Sequence, residues 1–295
     1  MLSASYILSF SLMIVLPILL GIWITRKLHL RWTLLLAGAV TFIASQVLHI
    51  PLVLWLTASF KNGTLPAPPP AWSLVFNAVL LGLLAGLFEE TARWILFRFI
   101  LKRARTWEEG VMVGVGHGGI EAVLIGASAA AAFFTMLGYR AIDLSTVPTI
   151  PPEQLELARQ QVAAYWASPA WLPLIAPLER AFAICLHLSL SVMVLYSLAA
   201  RKPVWFWLAV LWHAVVDGVA VYIAGRLGVI AAEVAVGLMA AASLWILFAL
   251  RPRFGPGFES KTPAPGAHLP LQAVPGSAGV NTDEQDDRIE EAQSL

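Results

Sequence analysis

Ionisable side chains interrupt four long apolar segments of this 295-residue chain. The segments read GLFEETARWILF, GVGHGGIEAVLIG, LERAFAICLHLSLSV and VLWHAVVDGVAV. A charged group in the hydrocarbon of a membrane is costly, so such groups face a partner or a water-filled cavity and mark functional sites. The pattern therefore restricts the chain to folds in which these side chains meet inside a helix bundle.

The composition indicates that a bilayer is the solvent for most of the chain. Hydrophobic residues make up 59% of the sequence and charged residues 13%, whereas soluble domains have about 25% charged residues. The net charge of +1, without a basic patch, argues against a nucleic-acid partner. Cys185 is the only cysteine, which excludes an internal disulfide and a zinc site built from cysteines.

Seven apolar segments are each long enough to cross about 30 Å of hydrocarbon as a helix. We therefore predict an all-α fold, a polytopic membrane bundle of about seven transmembrane helices. The predicted spans are 5–25, 33–58, 73–99, 110–137, 171–199, 204–224 and 228–250. The bundle would occupy residues 1–253, with a catalytic core at about 73–224, and the Pro- and Gly-rich tail 254–295 is predicted to be disordered.

Lysine and arginine are concentrated in alternate connections between the predicted spans. These residues are Arg26, Lys27, Arg31, Lys102, Arg103, Arg105, Arg201, Lys202, Arg251 and Arg253. Cytoplasmic loops carry such an excess, so we predict that the N-terminus is outside and that the C-terminal tail is cytoplasmic. The loop 138–170 contains the polar stretch PPEQLELARQQVAAYW, which predicts a short amphipathic helix at the membrane surface.

The ionisable groups are spaced so that neighbours on one helix face can pair. Glu89 and Glu90 lie four and three residues before Arg93, so either carboxylate can meet the guanidinium and one acid is left over. Further pairs on single faces are His117 with Glu121, His213 with Asp217, and Arg180 with His187. Because a helix rises about 1.5 Å per residue, the four spans place these groups at a similar depth, and we predict one hydrated pocket.

Other polar and small residues are interpreted as structural. Arg180 can pair with Asp217 or Glu121 on another helix, and His49 is interpreted as a packing residue or helix contact. Glycines at positions 114, 116, 118 and 119 flank His117. Glycines in membrane helices allow neighbouring backbones to approach closely, so this segment is predicted to pack tightly against the site.

The four motifs resemble, in order, those of the YhfC-type branch of the CPBP superfamily of intramembrane proteases, which includes the type II CAAX prenyl endopeptidases and the PrsW proteases. The matching motifs are FEETAR at 88–93, GHGGIE at 116–121, Glu179-Arg180 with His187, and His213 with Asp217. They cover roughly residues 80–220. The chain has EExxR where CAAX endopeptidases usually have EExxxR. The resemblance therefore does not by itself imply that this chain cleaves prenylated proteins.

The resemblance implies a role for each site residue. Glu89 would be the main catalytic carboxylate, and His187 would be its partner on the attacking water. The remaining roles would be ordering of the site by Glu90 and Arg93, stabilisation of the oxyanion by His213 and Asp217, and support by His117, Glu121 and Arg180. The resemblance also implies a bacterial plasma membrane protein whose substrate is a membrane protein or a lipidated peptide.

The chemistry of these residues permits peptide hydrolysis without a cofactor. Glu89 could take a proton from water and return it to the leaving amine, while His213 donates a hydrogen bond to the oxyanion. We therefore predict an intramembrane endopeptidase of glutamic type with no metal. The alternative is a zinc enzyme with Glu89, His187 and His213 as ligands, because two histidines and a carboxylate form a known catalytic zinc set. The sequence lacks the HExxH motif of many zinc proteases.

Three functions from other classes use similar residues. A proton-coupled transporter needs intramembrane Glu, His and Asp, but the sequence shows no related halves of the kind common in transporters. A non-catalytic scaffold would keep the histidines for helix packing. A haem-binding bundle could use His187 and His213 as axial ligands, although the neighbouring carboxylates favour hydrolysis.

Overall fold

A computed structural model describes residues 1–255, which form helices joined by short connections. The α-helices are α1 (Leu2–Lys27), α2 (Trp32–Lys61), α3 (Ser73–Ile95), α4 (Trp107–Ala141), α5 (Leu155–Ala167), α6 (Ile175–Ala199), α7 (Val204–Leu227) and α8 (Val229–Leu250). A π-helical turn, Leu96–Ile100, extends α3. The described residues contain no β-strand, so the predicted all-α fold is confirmed.

All of these helices except α5 are long and apolar enough to cross a membrane. This confirms the prediction of a multi-pass membrane protein with seven spans. Most helices extend a few residues beyond the predicted spans, because a helix satisfies its own backbone hydrogen bonds and can continue past the hydrocarbon. The polar stretch of the loop 138–170 forms α5, as predicted. The predicted disordered tail, 254–295, lies outside the described residues except for positions 254 and 255. The orientation of the two termini stays a prediction.

A capping box fixes the start of α4, the helix that carries His117 and Glu121. The Thr106 hydroxyl accepts a hydrogen bond from the backbone N–H of Glu109. In return, the Glu109 carboxylate accepts one from the backbone N–H of Thr106 at 3.0 Å. Such reciprocal bonds satisfy donors that a helix start leaves unpaired. The helix therefore begins directly after the basic stretch KRAR at 102–105, and its following turns enter the bundle.

Five helices surround the interior of the bundle. Going around this ring, α2 packs on α3, α3 on α7, α7 on α6, α6 on α4, and α4 on α2. Outside the ring, α1 packs mainly against α4, and α8 packs against α6 and α7. The apolar part of α6 is 72% buried, whereas that of the other spans is at most 28% buried. Polar groups on α6 are therefore shielded from lipid by the other helices.

Glycines allow the close helix contacts of the ring. A Cβ atom on Gly86 of α3 would lie 2.6 Å from the carbonyl oxygen of Val210 on α7. A Cβ atom on Gly114 of α4 would lie 2.7 Å from the carbonyl oxygen of His187 on α6. Such backbone approach is typical of membrane helices with small residues at their interfaces. It brings α3, α4, α6 and α7 close enough for short polar side chains to meet.

Candidate active site

The structure brings all the predicted site residues into one network of contacts between α3, α4, α6 and α7. The buried members of this network are Glu89, Glu90, Arg93, His117, His187 and His213. The remaining members, Glu121, Arg180 and Asp217, line a cavity beside them. The ionisable groups that interrupt the apolar segments are thus turned towards one another, as expected when charge is kept from lipid.

Glu89 connects three other helices. Its Oε2 atom lies 3.0 Å from Nε2 of His117 on α4 and 3.9 Å from Nε2 of His213 on α7. Its Oε1 atom accepts a hydrogen bond from the side-chain amide of Gln46 on α2 at 3.3 Å. Neighbouring side chains therefore fix the positions of both oxygens of this carboxylate. The Glu89 side chain itself is buried within the membrane part of the protein.

The neighbouring carboxylate, Glu90, is engaged differently. Its Oε1 atom accepts a hydrogen bond from the guanidinium of Arg93 and lies 2.7 Å from Nδ1 of His213. A second nitrogen of Arg93 donates to Nδ1 of His187 at 2.7 Å and lies 3.8 Å from Glu89. The two adjacent acids thus have separate tasks: Glu90 forms the close ion pair with Arg93, and Glu89 is left to face His117.

Glu121 orients His187 from the opposite side. The Nε2 atom of His187 lies 2.5 Å from Oε2 of Glu121, and Arg180 donates to the other Glu121 oxygen at 2.7 Å. Arginine has only donors, so Nδ1 of His187 accepts from Arg93 and the ring proton resides on Nε2, directed at Glu121. Of the two partners considered for Arg180, the structure shows Glu121. Arg180 also pairs with Glu179 at 2.6 Å.

Both ring nitrogens of His213 face carboxylates. Nδ1 contacts Glu90, and Nε2 lies 3.4 Å from Oδ2 of Asp217. The Asp217 side chain is 37% exposed, whereas His213 is buried. The contact between His213 and Asp217 therefore links the buried network to a more accessible surface.

A cavity of about 400 Å³ lies beside the network. Its polar lining consists of His49, Glu121, Glu179, Arg180 and Asp217. Except for Glu121, which lies just before the middle of α4, these residues belong to the halves of α2, α6 and α7 that lie away from the basic loops. The cavity therefore reaches the site from the side that the charge pattern predicts to be extracytoplasmic.

The charges of the network do not balance. The four carboxylates Glu89, Glu90, Glu121 and Asp217 share this network with only two guanidiniums, those of Arg93 and Arg180, and their other basic neighbours are the imidazoles of His117, His187 and His213. Burying unpaired charge is strongly unfavourable. The surplus of negative charge is therefore a reason to expect a bound cation or added protons at this site.

Three buried residues offer ligands of the type that a metal requires. One ligand atom each from Glu89, His117 and His187 lies within 4.8 Å of the others. A carboxylate with two imidazoles is a catalytic zinc set, and Nδ1 of His117 is buried without a hydrogen-bond partner among the described residues. This set of one carboxylate and two imidazole ligands fits zinc. The group contains His117 where the sequence suggested His213, whose Nδ1 is engaged by Glu90.

Two polar residues of α2 were not predicted to belong to the site. Gln46 donates to Glu89, and Nδ1 of His49 contacts the Gln46 side-chain oxygen at 3.1 Å. Their spacing of three residues within an apolar segment was the available signal, because such residues share one helix face. The sequence alone indicates a packing residue or helix contact for His49 and gives no role to Gln46.

Comparisons with known proteins agree with the four motifs. The model of the family described as YhfC intramembrane metalloprotease matches residues 12–240. The chain is 31% identical over 255 residues to the "Uncharacterized membrane protein YhfC" of Bacillus subtilis (strain 168), covering 83% of this chain and 95% of that protein. No solved structure matches the chain. The resemblance to YhfC-type proteins is thereby confirmed.

The prediction that the site has no metal cofactor is wrong. The matching family is described as a metalloprotease family, and the buried group Glu89, His117 and His187 could bind a metal ion. The absence of HExxH was misleading, because that motif supplies two histidines from one helix, whereas here the histidines come from α4 and α6. Residue spacing along one helix cannot reveal a ligand set that is assembled between helices.

Proposed function

The chain belongs to the YhfC family of intramembrane metalloproteases, and we propose that it is a zinc-dependent endopeptidase acting on membrane proteins or lipidated peptides. The observation that carries this proposal is the buried carboxylate and two imidazoles of Glu89, His117 and His187, set among surplus negative charge. The family description supports protease activity. The identity of the metal and the roles of the residues are our proposal.

Glu89, His117 and His187 would hold the zinc ion. Imidazole and carboxylate ligands suit zinc, and the ion would activate a water molecule and polarise the substrate carbonyl. His187 can bind through Nδ1, because its Nε2–H is directed at Glu121. A carboxylate that accepts the other ring N–H of a ligand histidine fixes its tautomer and orientation.

Arg93 holds positive charge at the centre of the network. Its guanidinium donates a hydrogen bond to Nδ1 of His187 at 2.7 Å and lies 3.8 Å from Glu89, so its positive charge compensates that of the Glu89 carboxylate. For His187 to bind zinc through Nδ1, Arg93 gives up this hydrogen bond. Its ion pair with Glu90 keeps the guanidinium beside the site.

His213 is placed to move protons. Hydrolysis adds the oxygen of water to the peptide carbonyl carbon, transfers a proton to the leaving nitrogen and breaks the C–N bond. With Glu90 at Nδ1 and Asp217 at Nε2, the His213 ring can hold a proton on either nitrogen. Nε2, which also lies 3.9 Å from Glu89, can then donate to the developing oxyanion or to the leaving amine.

Metal content tests the ligand set without any knowledge of the substrate. We expect the purified full-length protein to bind one zinc ion per chain by elemental mass spectrometry, and His117→Ala and Glu89→Gln to lose it. Glu153→Gln makes the same chemical change at an exposed position before α5 and should keep the zinc. A wild-type protein that takes up no zinc when zinc is supplied would contradict the proposal.

A comparison of protein termini tests proteolysis and identifies the substrate. Cells producing the wild-type protein, Glu89→Gln or Glu153→Gln would be compared by labelling the new N-termini of membrane proteins. We expect at least one cleavage that depends on Glu89 and is retained in Glu153→Gln. Identical termini in all three strains would contradict protease activity.

A further inference from the structure

His49 and Gln46 form a hydrogen-bonded chain that ends at Glu89. The His49 ring stacks on Phe88 with centroids 5.5 Å apart and an interplanar angle of 13°. Its Nδ1 lies 3.1 Å from the side-chain oxygen of Gln46. The Gln46 amide nitrogen donates to Oε1 of Glu89 at 3.3 Å and to the hydroxyl of Ser45 at 3.1 Å. Ring stacking and hydrogen bonding together fix the orientation of the imidazole.

The direction of these bonds determines the tautomer of His49. An ionised carboxylate only accepts hydrogen bonds, so the amide nitrogen of Gln46 is the group that faces Glu89. The Gln46 carbonyl oxygen therefore faces His49, and because it also only accepts, Nδ1 of the neutral His49 ring carries the proton. Nε2 is left as an acceptor.

This acceptor is unused in the described structure. Nε2 of His49 is buried and has no hydrogen-bond partner among residues 1–255. Buried polar atoms are nearly always paired, and an unpaired one is destabilising. His49 lines the 400 Å³ cavity together with Glu121 and Asp217. An unpaired acceptor beside the site is therefore suited to a donor brought by the substrate.

An intramembrane substrate brings such donors. In a helix the backbone N–H groups bond to the helix itself, but a segment that is unwound within the membrane must find other acceptors, since lipid offers none. Resting on the proposed function, we propose that Nε2 of His49 accepts a hydrogen bond from a backbone N–H of the unwound substrate segment. Gln46 is then a positioning residue that holds Oε1 of Glu89 and fixes the tautomer of His49.

Two variants separate these roles. His49→Phe keeps a ring against Phe88 but removes the acceptor. We expect it to lower kcat/KM about tenfold, mainly through KM, as for loss of one buried hydrogen bond, with unchanged zinc affinity. Gln46→Leu removes the bond to Glu89 and should also weaken zinc binding by about tenfold or more. Gln160→Leu on exposed α5 is the matched control for Gln46→Leu, and Thr57→Val at an exposed position of α2 tests the loss of a polar group elsewhere on that helix.

The measurement uses a quenched fluorescent peptide that spans the cleavage site found by terminal labelling, with the full-length protein in detergent or vesicles. A series of peptides, each methylated at one backbone nitrogen, removes one N–H at a time. At one position, methylation should slow the wild-type protein about tenfold and have little further effect on His49→Phe. Such non-additivity identifies the two groups as partners.

Two outcomes would overturn the proposal. One is His49→Phe cleaving with native kcat/KM, and the other is a methylation effect that is equal in the two proteins at every position. If instead the wild-type protein cleaves no faster than Glu89→Gln, the proposed function fails, and the role of His49 fails with it. The zinc affinities and the Glu89 variant therefore distinguish an error about His49 from an error about the enzyme.

Discussion

The carboxylate of Glu121 and Nε2 of His187 lie 2.5 Å apart and join α4 to α6. Arg180 holds the other oxygen of Glu121, and Arg93 holds the other nitrogen of His187. The imidazole is thus fixed from both sides on the most enclosed spanning helix. In the proposed zinc site, Glu121 therefore leaves Nδ1 as the nitrogen of His187 that can bind the metal once Arg93 gives up its hydrogen bond.

Replacing Glu121 should weaken metal binding without removing a ligand. Loss of a carboxylate that orients a ligand histidine typically costs 10- to 100-fold in metal affinity, and we expect a loss of about this size for Glu121→Gln. Competition with a chromophoric chelator measures the zinc affinity, and Glu153→Gln is the surface control. Native affinity in Glu121→Gln would show that His187 is oriented by other contacts.

A single methyl group on α4 should displace His187. A Cβ atom on Gly118 would lie 2.8 Å from Cδ2 and 3.1 Å from Cβ of His187. Because this space is already filled, we expect Gly118→Ala to destabilise the protein by about 1–3 kcal/mol and to abolish most zinc binding. Thermal unfolding and zinc content are the measurements.

Gly138 provides the control on the same helix. Apart from the nearby backbone of α4 itself, no atom of residues 1–255 lies within 4 Å of a Cβ atom built there, and alanine favours a helix over glycine by up to about 1 kcal/mol. Gly138→Ala should therefore be neutral or slightly stabilising, with native zinc content. Equal effects of the two substitutions would contradict tight packing at Gly118.

Breaking the buried ion pair of Arg93 and Glu90 should destabilise the folded protein. Both side chains are fully buried, and removing one partner of a buried pair costs about 3–5 kcal/mol because the other charge is left unpaired. We expect Arg93→Met to show this loss, and the double variant Arg93→Met with Glu90→Gln to recover part of it. Thermal unfolding of the three proteins measures the coupling, and additive effects would mean that the pair contributes little.

Zinc should stabilise the folded protein. A ligand that binds only the folded state at 100 times its Kd contributes about 2.7 kcal/mol. After dialysis against a chelator, the unfolding temperature should fall and peptide cleavage should stop, and added zinc should restore both. Magnesium should restore neither, because it prefers oxygen ligands in octahedral geometry.

His117→Ala serves as the control for this experiment. Its unfolding temperature should not respond to zinc, because one proposed ligand is missing. A response equal to that of the wild-type protein would place the zinc ion elsewhere.

Within single helices, the sequence predicted much of the site geometry. The separation of Glu90 from Arg93 by three residues indicated a pair on one face, and the structure shows that ion pair. The separation of His213 from Asp217 by four residues likewise corresponds to a contact. These predictions succeed because the helical repeat alone determines which nearby residues share a face.

Between helices, the sequence left the partners open. Two acids were possible for Arg180, and only the packing of α4 against α6 selects Glu121. The same packing places His117, rather than His213, with Glu89 and His187. Gln46 and His49 enter the site because α2 packs against both α3 and α4, a contact that no spacing within α2 encodes.

By itself, the sequence determined the seven spans, the all-helical fold and the residues that had to be kept from lipid. Apolar length and the cost of charge in hydrocarbon act locally, so they can be read along the chain. Only the tertiary structure decided which acid meets which base and which three side chains could share a metal ion. Those contacts depend on the rotation and close approach of neighbouring helices, which are fixed by packing over the whole bundle.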